Sequence, residues 1–211
     1  MTALQDSAYR RIREMIFRAE IKTGELYSEA KIAELLGMSR TPVRGALAVL
    51  SREGLIEISP QRGFCVRLIP KEEMREIFEL RLALETKIAV DLAGRVSDVD
   101  FAPLTENIER TKAAMVNGNK SQFLEVSTEF HYEIARMAGF HLAVDVLKNL
   151  RDKLRILGIA AVTDARHMAT VIEEHTLIYV AIQNKDIGQV HDLIRRHLGC
   201  TEDRLKEVAE Y

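Results

Sequence analysis

A chain of 211 residues holds one large domain or two small ones, at about 100–200 residues per domain. Its 47% apolar and 29% charged residues are ordinary for a soluble globular protein, and only 11 Gly and 4 Pro argue against a turn-rich all-β fold. The formal charge of -2 is unevenly spread: residues 1–70 carry +3 and residues 71–211 carry -5. That shift predicts a small, mildly basic domain over residues 1–69 and a larger acidic one over residues 70–211. No run approaches the ~20 apolar residues of a membrane span, and the opening MTALQDSAYRR lacks the apolar core of a secretory leader. Cys65 and Cys200 form neither a disulfide framework nor a zinc spacing, so two reduced thiols in a cytoplasmic protein are expected.

The first helix is expected from Ser7 to about Glu20, with Ile12, Met15, Ile16 and Ala19 on one face. A second runs from about Ser28 to Leu36, with Ser28 as N-cap, Ile32, Ala33, Leu35 and Leu36 inward, and Gly37 as stop. Ser39 is placed to cap a third helix over Arg40 to Glu53, with Pro42 in its first turn. Val43, Ala46, Leu47 and Leu50 form its inner stripe, while Arg40 and Arg44 stand four apart on another face. Two short helices joined by Gly37-Met38-Ser39 form a helix-turn-helix. Ser39, Arg40, Thr41 and Arg44 gather at the start of its second helix, where a recognition helix meets bases and phosphates; a merely solvated pair of arginines is the alternative. Leu55–Ser59 and Phe64–Leu68 read as two strands around the turn Pro60-Gln61-Arg62-Gly63. Such a ribbon is a wing. Its tip carries a donor, Arg62, beside Gly63, which permits close backbone approach, a pairing suited to the minor groove or its phosphates.

The run SEAKIAELLGMSRTPVRGALAVLSREGLIEISPQRGFCV, from Ser28 to Val66, resembles the winged helix of GntR-type bacterial transcription factors. The matching residues are LGMSRTPVR, then L-x-x-L-x-x-E-G-L-I, then R-G-x-x-V. Gly45 departs from the Glu that usually follows the recognition arginine, and Ala30 stands where some relatives carry Arg.

The remaining chain reads as six helices, over about 71–95, 100–117, 120–138, 141–161, 167–184 and 187–209, joined by short links into an antiparallel bundle. Breaks fall at Ser97-Asp98, Asn117-Gly118-Asn119, Gly139, Thr163-Asp164 and Asn184-Lys185-Asp186. Met74, Ile77, Phe78, Leu84, Ile88 and Leu92 form the apolar face of the first, which also bears Arg81 and Glu85. Ser127 and His131 fall on the stripe of the third, His175 on that of the fifth and His197 on that of the sixth. Three inward histidines from three helices suit a metal site, since neutral imidazole is the commonest ligand; each read alone is an ordinary hydrogen-bonded core histidine. His141, His167 and His191 are read as structural or solvated, with His167 close enough in sequence to His175 to approach the site. Arg81 is the first candidate for an anion, with Glu85 as its partner in the empty state. Arg151 and Arg155 are weaker ones.

Phe78-x-x-Arg81-x-x-x-Glu85, then F-H-x-x-I-A-x-x-A-G at 130–139, E-E-H at 173–175 and R-R-H-L at 195–198 are similar to the FCD effector-binding domain of FadR-type GntR regulators. Six helices match the shorter, VanR-like variant. The resemblance implies a divalent metal, Zn or Ni, held by His131, His175 and His197, with Ser127 where an Asp ligand is usual. It also implies a small organic-acid effector at Arg81, Glu85 and Ser127, a homodimer, and a palindromic double-stranded operator, with repression the commoner mode. The alternatives are an all-α metalloenzyme fused to a DNA-binding module and a metal-free architectural DNA binder. For the enzyme, Glu85 is the only inward acid available as a base.

Overall fold

The computed structural model describes residues 1–96, 99–158 and 164–208. The chain divides into two compact units, Met1–Pro70 with Asp152–Ile156 and Lys71–Arg151 with Leu157–Tyr211. The expected break at Ser97-Asp98, Thr163 of the break at 163–164, and the expected helix ends at 161 and 209 lie outside the described residues.

In the first unit, α1 spans Ala3–Phe17, starting four residues before the expected Ser7. Thr2 caps it, its hydroxyl accepting from the Gln5 N–H at 3.3 Å. The polar first turn hides that start from a reading of apolar spacing. The helix ends before Glu20, where Ala19 turns to a φ of 56°. α2, Glu29–Leu36, begins at Ser28, whose hydroxyl accepts from the Lys31 N–H, and stops at Gly37 in the left-handed region. α3 is Arg40–Arg52. Ser39 has the extended backbone of an N-cap, but its side chain makes no capping bond, contrary to expectation. Ile12, Ile32, Val43, Leu50, Leu55 and Phe64 are wholly buried and tie the three helices to the sheet.

The wing has three strands rather than two. β1, Leu26–Tyr27, adds to β3, Gly63–Val66, which pairs with β2, Ile56–Ser59, in the antiparallel order β1-β3-β2. Two residues are too few to show a period of two, so β1 is silent in the sequence. Its pairing explains Gly63. At φ 121°, a Cβ there would lie 2.1 Å from the Tyr27 carbonyl oxygen, so the close approach glycine permits is to the wing's own first strand.

Gly45 sits in the middle of α3, where a Cβ would meet the side-chain amide of Gln5 at 2.6 Å, the far end of a flexible side chain. Gly45→Ala should therefore stabilise the protein by about 0.5–1 kcal/mol through helix propensity once Gln5 swings aside. The check is the denaturation midpoint, and a lowered midpoint would mean Gln5 is held in place.

The second unit contains α4 (Lys71–Ala93), α5 (Ala102–Val116), α6 (Lys120–Met137), α7 (His141–Gly158), α8 (Ala165–Gln183) and α9 (Ile187–Val208). α7 contributes Asp152–Ile156 to the first unit. Asn119 caps α6, and Asp164 caps α8 by accepting from the His167 N–H at 2.7 Å, which sets the start of α8 two residues before the expected one. α4 packs on α9 and α5 on α6. Phe123, Phe130, Leu147, Ile178, Ile182 and Val190 fill the core between them. On α4 the buried stripe takes Ala89 and Ala93, while Leu84 is only half-buried. Cys65 and Cys200 are free thiols. No described helix is long and apolar enough to cross a membrane.

Candidate functional site

The amphipathic spacing of α6, α8 and α9 brings His131, His175 and His197 together inside the second unit, each at most 6% exposed. One ring nitrogen from each lies within 4.8 Å of the others. His131 stacks on His197, both meet His175 edge-on, and the Phe130 ring stacks on His175 with centroids 4.1 Å apart and planes at 8°.

Two buried carboxylates set the orientation of these rings. His131 Nδ1 lies 2.6 Å from Glu85 Oε2, and His197 Nδ1 lies 2.8 Å from Glu174 Oε2. With a carboxylate accepting at Nδ1, the proton is fixed there and Nε2 is left as the lone-pair nitrogen, the arrangement that supports metal-bound histidines. His175 Nε2 is buried with no hydrogen-bond partner. A buried imidazole nitrogen left unpaired is costly, and a metal ion would satisfy it. The residues present thus fit a divalent cation. Burial holds His131 and His175 well below the usual imidazole range; the Arg151 charge adds to this at His131, and the His197 and His131 rings add to it at His175. Both are therefore in the neutral, ligand-competent form at neutral pH.

Beside the histidines, Glu85 collects charge. Its Oε1 accepts from Arg81 Nε at 2.9 Å and from Arg151 Nη2 at 3.3 Å. Burial alone would raise its carboxyl, but His131, Arg81 and Arg151 together hold it well below the usual range. Burial, then repulsion from Arg151, brings Arg81 down to about 10, so it stays charged at pH 7. Arg151 is mostly buried, and its Nε has no partner. Arg151, a weaker anion candidate than Arg81 in the sequence, thus lies at Glu85 beside it, while Arg155, four residues on, belongs to the first unit. Ser127 is buried, and its hydroxyl donates to the Leu124 carbonyl of its own helix at 3.4 Å.

Glu174 is the residue the sequence reading missed. It was legible: it lies three residues after Val171 and four before Ile178, on the same stripe as His175. His167 is half-buried and His141 is exposed.

In the first unit, Ser39, Arg40, Thr41 and Arg44 are exposed along the start of α3, and Arg62 is exposed at the wing tip. Arg44 Nε donates to Glu29 Oε2 at 3.0 Å. Glu29, from the start of α2, thus supplies the orienting carboxylate that Gly45 does not. At the wing tip the Arg62 N–H donates to the Ser59 carbonyl, with Gln61 at a φ of 63°.

Residues 4–66 match the model of bacterial regulatory proteins of the gntR family, and residues 76–199 match the FCD domain. The HTH-type transcriptional repressor RspR of Escherichia coli is 27% identical over 205 residues, covering 96% of this chain and 89% of that protein. The HTH-type transcriptional regulator YdhC of Bacillus subtilis is 26% identical over 206 residues, covering 96% and 91%. The solved structure of E. coli McbR/YncC superposes with a TM-score of 0.83 at 23% identity, over 98% of this chain and 99% of that one, and so shares the fold.

Proposed function

From the membership of this chain in the GntR family of bacterial regulators, with an FCD domain behind its helix-turn-helix, we propose a repressor that senses an organic acid beside a bound metal. Ligand-responsive, DNA-binding transcriptional regulation is the function of the family and of its relatives, and it sets aside the fused metalloenzyme. Repression is suggested by the named repressor among the relatives.

The metal reading is carried by one observation: an unpaired, buried His175 Nε2 amid three clustered histidines whose other rings are oriented by Glu85 and Glu174. His131, His175 and His197 would hold the ion, and Zn or Ni suits an all-nitrogen donor set. When bound, such an ion supplies a positive centre for a carboxylate. Arg81 and Arg151 add a second one, with Glu85 between them, and Ser127, buried on α6 one turn before His131, would complete the effector site.

On the DNA side, the protein works in the cytoplasm as a homodimer on a palindromic operator, placing α3 in successive major grooves. Arg40 and Arg44 would meet guanine edges or phosphates, Ser39 and Thr41 the backbone, and Arg62 with Gly63 the wing contact. The effector must bind the DNA-competent and released states unequally; otherwise it shifts nothing.

Arg44→Ala should weaken binding to a selected operator by about 1–3 kcal/mol, roughly 5–150-fold, and relax the preference at one base position. Fluorescence anisotropy at fixed salt measures this. Unchanged affinity and preference would take Arg44 out of the interface.

A further inference from the structure

Resting on the reading that places Arg44 at the operator, we propose that Glu29 is a positioning residue for base recognition, holding the Arg44 guanidinium end-on to one guanine and withholding it from the phosphates. Ser28 caps α2 and so fixes where Glu29, the first residue of that helix, stands. From there Glu29 Oε2 accepts from Arg44 Nε at 3.0 Å, and Arg44 remains 71% exposed. The bond takes the inner edge of the guanidinium. No described residue bonds its Nη1 or Nη2. Arg40 and Arg62, the other two arginines assigned to DNA, are exposed and have no side-chain partner among the described residues.

Guanine presents two acceptors, O6 and N7, to a pair of guanidinium N–H groups. Arginine can offer either its two terminal nitrogens or Nε with one of them. With Nε committed to Glu29, only the end-on pair is left. An exposed ion pair adds little to folding stability, so the consequence of this one falls on the freedom of Arg44. An untethered arginine samples many rotamers and reaches whatever phosphate is near. One tied to the start of α2 has lost that freedom before DNA arrives, which lowers the entropy cost of the single geometry that reads a base. Glu29 also offsets the charge that phosphates attract, so the pair contributes little to sequence-independent binding. Removal of water in the groove strengthens the tether. A carboxylate in the first turn of a helix has a purely structural use as well, against the helix dipole, and the test must separate the two.

The test is a double-mutant cycle on the full-length protein: wild type, Glu29→Ala, Arg44→Ala and the double variant. Fluorescence anisotropy is measured on an operator selected from a random pool and on a random duplex of the same length, over a series of salt concentrations. Glu29→Ala is expected to lower the preference for operator over random duplex by about tenfold, chiefly by tightening the random complex, and to relax the base choice at one position. The salt dependence should steepen by about one phosphate contact per subunit. In the Arg44→Ala background, Glu29→Ala should change none of these readouts. A structural role at the helix start would lower the denaturation midpoint and leave preference and salt slope alone. Preference and slope unmoved by Glu29→Ala, or moved equally in both backgrounds, overturn the inference. If Arg44→Ala still weakens operator binding in that case, only the role of Glu29 falls. If Arg44→Ala is silent too, the placement of Arg44 at the operator falls with it.

Discussion

Glu85→Ala is expected to cost about 3–5 kcal/mol of folding stability in metal-free protein, the range for breaking a buried ion pair by removing one partner. Three groups lose their counterpart at once: the Arg81 and Arg151 guanidiniums and His131 Nδ1. Arg81 is 2% exposed and cannot reach water without moving α4. Glu85→Gln keeps the shape and still accepts from Arg81, so it should cost less, while leaving the two cations uncompensated. Urea denaturation of both variants is the check. Zinc affinity should fall by about 10–100-fold in either, since the ring of His131 loses its orienting carboxylate. A cost under about 1 kcal/mol for Glu85→Ala would mean that the cluster is solvated in solution.

Mild acid should destabilise the metal-free protein in a window that histidines define. His131 and His175 are held well below 6.5 in the folded state, while in the unfolded chain they titrate near 6.5. As pH falls past about 6.5 the unfolded state takes up protons that the folded state refuses, so stability drops by about 1.4 kcal/mol per pH unit for each histidine. The loss continues downward until the folded-state values are reached. Glu85 acts in the same direction but lower: its depressed carboxyl contributes stability that is fully present above the unfolded value near 4.5 and is lost as pH falls through its folded value. Denaturation curves at pH 7.5, 6.5 and 5.5 measure this, and stability that stays flat over that range would show the buried histidines to be protonated in the fold. Zinc should oppose the loss, because it binds only the neutral rings and stabilises by about 4 kcal/mol at a thousandfold excess over its dissociation constant.

The helices were legible because their apolar residues recur at three and four, and that same period placed His131, His175 and His197 inward before any coordinate was known. Ser28, Gly37 and Asn119 marked their boundaries for chemical reasons that the structure repeats. The start of α1 was not legible, since Thr2 and a polar first turn carry no stripe, nor was β1, which is two residues long. Gly63 shows a different gap. The sequence signalled a close backbone approach but not to what, and the answer is the Tyr27 carbonyl across the sheet. Glu29 is a pairing of the same kind: its bond to Arg44 spans 15 residues and two helices, and no local pattern encodes it. At the histidine site, Glu174 satisfies the stripe rule, yet a glutamate reads as a surface residue until its partner, His197, is known. Arg151 needed Glu85, 66 residues away, to reveal its role.

The most direct measurement is metal stoichiometry by native mass spectrometry on untagged protein incubated with Zn²⁺ or Ni²⁺, beside a His131→Ala/His175→Ala variant whose fold is checked by circular dichroism. The account predicts one ion per chain in the wild type, none in the variant, and a raised denaturation midpoint only in the wild type. A folded wild type that takes up no ion, or a variant that binds as well as the wild type, would contradict the three-histidine centre and leave the organic-acid site to the arginines alone.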